Sequence, residues 1–332
     1  MNLSLSHLKK DACDTCTKYK LKKVGEDEMK VHRENKERAR VEKKMDKKSP
    51  CTTIVAAIDL QKIIPLPTIF NQLQYYLQKI GVRNWTAFDL KSRAVICKIW
   101  DECDGGVDAS NFATHVCLYI DARVQGSECG ILEFILWSDS CAAQNRNVVL
   151  ANALLALAMK LRMLITQKFF IPGHSQSEVD SAHSNIERAM RGKCVYSLEN
   201  FAEIIKAARL TGTKEANEAY MVERVTQNDF KDYSSIQFYS SIRPGTRPGD
   251  LKVNDLRALQ YTPEGIIKFK TSFDEEWKNL PEKHKLKDPM VEIKLKYTER
   301  IPIPKSKFDH LQKMKNFIPE QYHSYYDGLP YK

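Results

Sequence analysis

From Thr52 to Leu60 the chain runs TTIVAAIDL, an apolar, β-branched stretch that predicts a buried strand with an acid at its end. Asn84–Leu90 and Arg93–Trp100 predict two further strands, close enough across Lys91–Ser92 to pair as a hairpin. Beyond the breaker Asp104–Gly105–Gly106, Asp108 or Ser110 can cap a helix that reaches about Val124. A loop over Gly126–Gly130 leads into Ile131–Trp137 (ILEFILW), another strand. Asn147–Thr166 then predicts a long apolar helix, Lys168–Pro172 a short strand, and Ser177–Arg191 a helix closed by Gly192. The order is β-β-β-α-β-α-β-α. Three strands able to pair as a meander, followed by strands alternating with helices, predict an α/β fold with a mixed five-stranded sheet flanked by helices.

The flanks read differently. Asp27–Lys48 (DEMKVHRENKERARVEKKMDKK) has almost no apolar stripe and predicts a solvated helical arm, ended by Ser49–Pro50. After Gly192 the pattern loosens into a helix around Leu198–Leu210, turns over Arg243–Gly249, and short strand-like runs rich in Tyr, Lys and Pro. The chain therefore divides into a basic arm (1–50), a core (51–192) and a C-terminal extension packed on that core (193–332). Val148–Ile165 has the length of a membrane span, but Asn152, Lys160 and Arg162 interrupt it, so it predicts a buried core helix and no membrane partner.

Composition narrows the class without naming an activity. With 42% hydrophobic residues among 332, the chain can build a real core, which excludes disorder of the whole chain. The net charge of +10 is uneven: residues 1–50 contribute 15 basic and 9 acidic side chains, whereas residues 51–200 carry 14 of each. A polyanion would be gripped mainly by the ends. Nine cysteines, seven of them single, and no signal peptide predict a reducing setting, nuclear or cytoplasmic and not secreted. Lys43–Lys44 and Lys47–Lys48 suit a nuclear address or a solvated helix face.

Three acids sit where the predicted order gives them a common purpose. That order resembles the ribonuclease-H-like fold shared by transposases, retroviral-type integrases and related nucleases. There, one Asp lies on the first strand, a second follows the fourth strand, and a third acid lies on the last core helix. Here Asp59 ends IVAAIDL, Asp139 follows ILEFILWS, and Asp180 opens the helix SEVDSAHSNIER. Such carboxylates hold two Mg²⁺ or Mn²⁺ ions that clamp the attacking and leaving oxygens of a phosphodiester. On the last helix Asp180, His183, Ser184 and Glu187 share a face at i, i+3, i+4 and i+7, so Glu187 competes for the third place. His174 and His183 are candidates to assist proton transfer. Gln144, Asn145 and Asn147 suit phosphate or base contacts, or capping of the helix that follows. Gly173-His174-Ser175-Gln176-Ser177 approaches a hydrolase nucleophile elbow, but Ser177 replaces the second glycine that its sharp turn requires.

The phrases DLQK, WSDSCAAQNRN, GHSQSEVDSAHSNIER and RPGDLKVNDLRALQY resemble a transposon-derived animal protein family whose domain carries no assigned function. The resemblance runs from about Cys13 to Tyr326. It implies a transposase-type core with Asp59, Asp139 and Asp180 as metal ligands, DNA as partner, self-association, and metal-dependent phosphodiester cleavage or strand transfer. It also implies the alternative of a host-adopted, catalytically inactive relic that binds DNA or protein. Relatives usually carry more sequence before the Cys pair, so an upstream DNA-reading module is expected. Cys13-Asp14-Thr15-Cys16 has zinc-knuckle spacing. His32 resembles a retained family position and is the expected third Zn²⁺ ligand, with His7, Cys51 or equally a ligand upstream of this sequence as candidates for the fourth. No small-molecule cofactor is expected. Tyr322, Tyr325 and Tyr326 suit base stacking or docking of the C-terminus.

Overall fold

The computed structural model describes residues 13–171, 177–209, 218–245, 247–281 and 292–332. Two helices open the chain, α1 (Asp14–Lys20) and α2 (Glu26–Asp46). The core follows as β1 (Thr53–Leu60), β2 (Ile64–Leu66), β3 (Ile80–Asp89), β4 (Val95–Asp101), α3 (Ala109–Gln125), β5 (Glu133–Ser138), α4 (Val148–Leu161), β6 (Leu164–Phe169) and α5 (Glu178–Met190). Then come α6 (Leu198–Ala207), β7 (Met221–Arg224), β8 (Ala258–Tyr261), β9 (Ile267–Lys270), β10 (Lys278–Asn279), α7 (Lys305–Met314) and α8 (His323–Asp327).

Among the described residues ten strands form one sheet, ordered β10-β9-β8-β6-β5-β1-β3-β4-β7, with β2 paired to β3. Its centre, β6-β5-β1-β3-β4, is the predicted five-stranded mixed sheet. β1, β5 and β6 run parallel, whereas β1–β3 and β3–β4 are antiparallel. The mixed α/β fold implied by the hydrophobic pattern is therefore present, and its strand order is consistent with a ribonuclease-H-like core. The segment after Gly192 extends the sheet at both edges: β7 runs parallel to β4, and β8 antiparallel to β6.

Local chemistry explains the core elements. Asp108 caps α3 by accepting from the Ser110 and Asn111 amides, and Asn147 caps α4 by accepting from Leu150 N–H. In the β3–β4 hairpin, Asp89 Oδ1 accepts from the amides of Lys91 and Ser92, each at 2.9 Å, and Arg93 takes a left-handed conformation. The apolar helix starts where the pattern places it but ends at Leu161, with Arg162 in the left-handed region at φ 53°. The strand expected at Lys168–Pro172 accordingly begins four residues earlier, at Leu164. No helix among the described residues is long and apolar enough to cross a membrane.

Period-two alternation separates the two faces of the sheet. Ile54, Ala56 and Ile58 of β1, with Phe134 and Leu136 of β5, pack with α3 and α4. Val55, Ala57, Ile135 and Trp137 face the opposite side, with Val179 of α5. Continuing each register, Asp59 and Asp139 fall on that second side, toward α5.

α2 is solvated along most of its length, as its sequence predicts, but it docks on the core instead of standing apart from it. Met29, Ala39 and Asp46 are buried, and its basic residues reach the core: Lys43 and Lys47 pair with Glu178 at 3.1 and 2.6 Å, and Arg38 with Asp274 at 2.8 Å. A helix without an apolar stripe can dock in this way when its charges meet opposite charges on the body. The tyrosines near the C-terminus also dock. Tyr325 donates to buried Asp101 at 3.1 Å, Tyr326 to the Tyr196 carbonyl, and Tyr322 stacks on Tyr196 at 5.2 Å.

Candidate active site

The three predicted acids come from separate parts of the chain. β1 and β5 are adjacent and parallel, so the carboxyl ends of both strands open at one edge of the sheet. Asp59 lies at the end of β1, opposite Thr86 on β3, and Asp139 follows β5 directly. Asp180 lies in the first turn of α5, which crosses that same face.

Their electrostatics tie them together. Burial first, then the charges of Asp139 and Asp180, push the Asp59 carboxyl up to about 7, against the opposing effect of the Leu60 amide it accepts at 2.8 Å. Its side chain is 28% exposed, so an ion can reach it. Asp139 Oδ1 is held by the Cys141 amide at 3.1 Å and by Asn145 Nδ2 at 2.6 Å. Asp180 is exposed and closes a capping box, its Oδ2 accepting from Ser177 N–H at 3.2 Å. It thus fulfils the helix-cap role, and its charge also acts on Asp59.

Glu187, the alternative for the third place, lies two turns beyond Asp180, about 10 Å along the helix, and pairs with Lys62 at 3.0 Å. His183 is better placed: its Nδ1 is 3.8 Å from Asp59 Oδ2 and its Nε2 is 3.0 Å from Thr86 Oγ1. Burial pushes its pKa down to about 4, with Glu187 acting weakly the other way, so the ring is neutral at pH 7. His174 lies outside the described residues.

Arg146 was not anticipated from the sequence. It is buried behind the Asp139 loop, donating to Ser140 Oγ at 2.5 Å and to the carbonyls of Val253 and Asn254, with its guanidinium 4.5 Å from the Phe169 ring centre. Burial, then the like charge of Arg257, bring its pKa down to about 10, while Asp139 acts to raise it. The segment leading into β8 thus secures the loop that carries Asp139. Asn147 caps a helix, whereas Asn145 orients Asp139. Ser177 is a helix cap, and Gly173–Gln176 lie outside the described residues.

A second cluster lies at the start of the chain. His32 Nε2 is 3.4 Å from both Cys13 Sγ and Cys16 Sγ, and the three ligand atoms lie within 4.8 Å of one another. Tetrahedral coordination with the usual Zn–S and Zn–N lengths separates sulfur and nitrogen by about 3.6 Å, so this group can hold a metal ion. Cys51 is not part of it and contacts Cys129 instead. His7 lies outside the described residues.

No family model, no curated protein and no solved structure matches this chain. Function must therefore be argued from the site.

A group of carboxylates, one of them driven toward neutrality by burial and then by the charges of the others, suits a divalent cation, which would offset the repulsion and favour ionised Asp59. Among the described residues, only the Cys/His group has all its ligand atoms within 4.8 Å of one another. The three acids are spaced more widely than that. The shifted acid makes a direct stability prediction. In chelator, native Asp59 keeps its proton up to about 7, whereas its ordinary value is 3.8. A raised native value stabilises the fold below the unfolded pKa, and that contribution disappears as pH rises through 7. Asp59→Asn should therefore melt about 4 °C above wild type at pH 8 in EDTA, on the order of 3 kcal/mol, and show little difference at pH 4. Thermal melts at the two pH values check this. An equal melting temperature at pH 8 would mean that Asp59 is not strained.

Proposed function

We propose that this protein is a transposase- or integrase-like nuclease that carries out metal-dependent phosphodiester cleavage or strand transfer on DNA. The observation that carries the reading is that Asp139, at the end of β5, and Asp180, on α5, both act electrostatically on Asp59 of β1, adding to the burial that raises its carboxyl to about 7. The sequence phrases that resemble a transposon-derived animal family support the same reading. Asp59, Asp139 and Asp180 would hold Mg²⁺ or Mn²⁺, which supplies charge stabilisation for in-line displacement at phosphorus. The chain's own residues do the positioning. Asn145 holds the Asp139 carboxylate, the capping box holds Asp180, and neutral His183 lies beside Asp59 without adding positive charge at pH 7. DNA as partner, self-association and a nuclear location belong to the same proposal.

The test is nicking of labelled supercoiled and linear DNA with Mg²⁺ or Mn²⁺ against an EDTA control. Metal-dependent nicks support the reading. DNA binding without nicking in any metal supports the alternative, an inactive transposase relic that acts by binding.

We also propose that Cys13, Cys16 and His32 bind a structural Zn²⁺. About one zinc per chain should be found by atomic absorption in the wild type, and little in Cys13→Ser. Similar zinc content in both would count against the site.

A further inference from the structure

Between α2 and the edge formed by β6 and α5 lies a cleft of about 450 Å³, lined by Lys36, Arg40, Lys43, Lys44 and Lys47 above Phe170. These cations recur at i, i+4, i+7, i+8 and i+11, a single stripe of the helix about 16 Å long. Two acids line the same cleft, Glu37 and Glu178, leaving positive charge in excess. Glu178 is both a fastening and a counterweight: it pairs with Lys43 and Lys47, and Glu37 pairs with Arg40 at 3.6 Å, so phosphate contacts fall chiefly to Lys36 and Lys44. Burial acts to raise the Glu178 pKa, but Lys47 and Lys43 outweigh it and hold the carboxylate ionised, which fixes α2 against the first turn of α5. Asp180 lies two residues beyond Glu178 in that turn. The two side chains point about 200° apart around α5, so the cleft and Asp180 lie on different sides of the start of that helix.

We propose that this cleft binds the phosphate backbone of nucleic acid, a proposal that rests on the DNA-processing reading and gives it a docking track. A strand advances one phosphate per 3.4 Å of duplex axis, so the stripe spans about four to five phosphates of one strand. Cations in such a row neutralise phosphates without reading bases, so binding here is sequence-independent and salt-sensitive. The cluster of acids alone would repel the same backbone. A basic track running to the start of the helix that carries Asp180 supplies attraction for that backbone.

The experiment measures binding apart from cleavage. The full chain, Lys36→Gln/Lys44→Gln and the charge-retaining Lys36→Arg/Lys44→Arg are titrated against a short labelled duplex by fluorescence anisotropy in EDTA, over a salt series. The Gln variant should bind about tenfold more weakly at 0.1 M salt, with the slope of log K against log salt reduced by about 2. The Arg variant should restore both, with unchanged thermal melts. Wild-type affinity and slope in the Gln variant would overturn the cleft, as would a wild type that binds no duplex. An oligo-glutamate peptide that binds more tightly than DNA and is weakened by the same variant would also overturn it, in favour of an acidic protein partner. Nicking activity is read separately. Nicking with unaltered binding in the Gln variant removes the cleft and keeps the nuclease, whereas cleft-dependent binding without nicking does the reverse.

Discussion

Asp139→Asn should abolish metal-dependent nicking while leaving the fold and DNA binding intact. The substitution is nearly isosteric, and Asn Oδ1 can still accept from the Cys141 amide and from Asn145 Nδ2, the two donors that hold Asp139 at 3.1 and 2.6 Å. What is lost is the charge and one anionic ligand atom. A two-metal clamp that loses a shared carboxylate should slow by roughly 10³-fold or more, the scale seen when a preorganised charge-stabilising group is removed from an active site. Single-turnover nicking in Mg²⁺, compared at matched melting temperature and matched DNA affinity, measures this. Cleavage at the wild-type rate would sink the assignment. A second signature separates chemistry from folding. Removing Asp139 removes one of the two charges that lift Asp59, so Asp59 in the variant should titrate lower than about 7.

The parts of this site that could be read from the sequence were those set by local pattern. IVAAIDL and ILEFILWS are short β-branched or aromatic runs with an acid at or directly after the end of the buried segment, so Asp59 and Asp139 could be placed at strand ends, whereas their common face follows from the β1–β5 register. SEVDSAHSNIER carries its own cap and an amphipathic period, so Asp180 could be placed on a helix. Where pattern fails, a tertiary cause is evident. From Val148 to Phe170 the chain is largely apolar and buried on both sides of the junction, and helix and strand meet at Arg162 without a Gly or Pro stop, so periodicity could not separate α4 from β6. The roles of Arg146 and Asn145 depend on carbonyls of Val253 and Asn254 and on the carboxylate of Asp139, which no window around them contains. β8 and β9 have four residues each and β10 two, too few to register as alternation. The docking of α2 was missed because burial was sought as an apolar stripe, whereas the helix is attached mainly by charge.

That attachment gives the largest expected effect on stability. Lys168 on β6 is 6% exposed, and its ammonium donates to Glu42 at 2.6 Å and to both Asp46 oxygens at 2.8 and 2.9 Å. Trp137 Nε1 donates to Asp46 as well, at 2.8 Å, and the ammonium lies 5.8 Å from the Trp137 ring centre. Lys168→Met keeps the aliphatic stem but leaves Asp46 buried without its cation, a loss of about 3–5 kcal/mol. Burial already raises the Asp46 pKa, with Lys168 and then Trp137 resisting, so removing Lys168 should raise it further. A raised native value stabilises at acid pH and loses that contribution as pH rises. The deficit of Lys168→Met should therefore be small near pH 4 and full at pH 8. Adding Asp46→Asn should recover much of it, because the uncompensated charge is then gone and the amide can still accept from Trp137. Urea unfolding of wild type, both single variants and the double variant at two pH values measures the coupling. Additive losses would mean that Lys168 and Asp46 do not act as a pair. Because Lys168 and Trp137 lie on the two strands that flank the Asp139 turn, loosening α2 should also disturb the ground on which Asp139 stands. Nicking by Lys168→Met should then fall more at pH 8 than at pH 6, although Lys168 itself belongs to the fastening of α2 and not to the acid cluster.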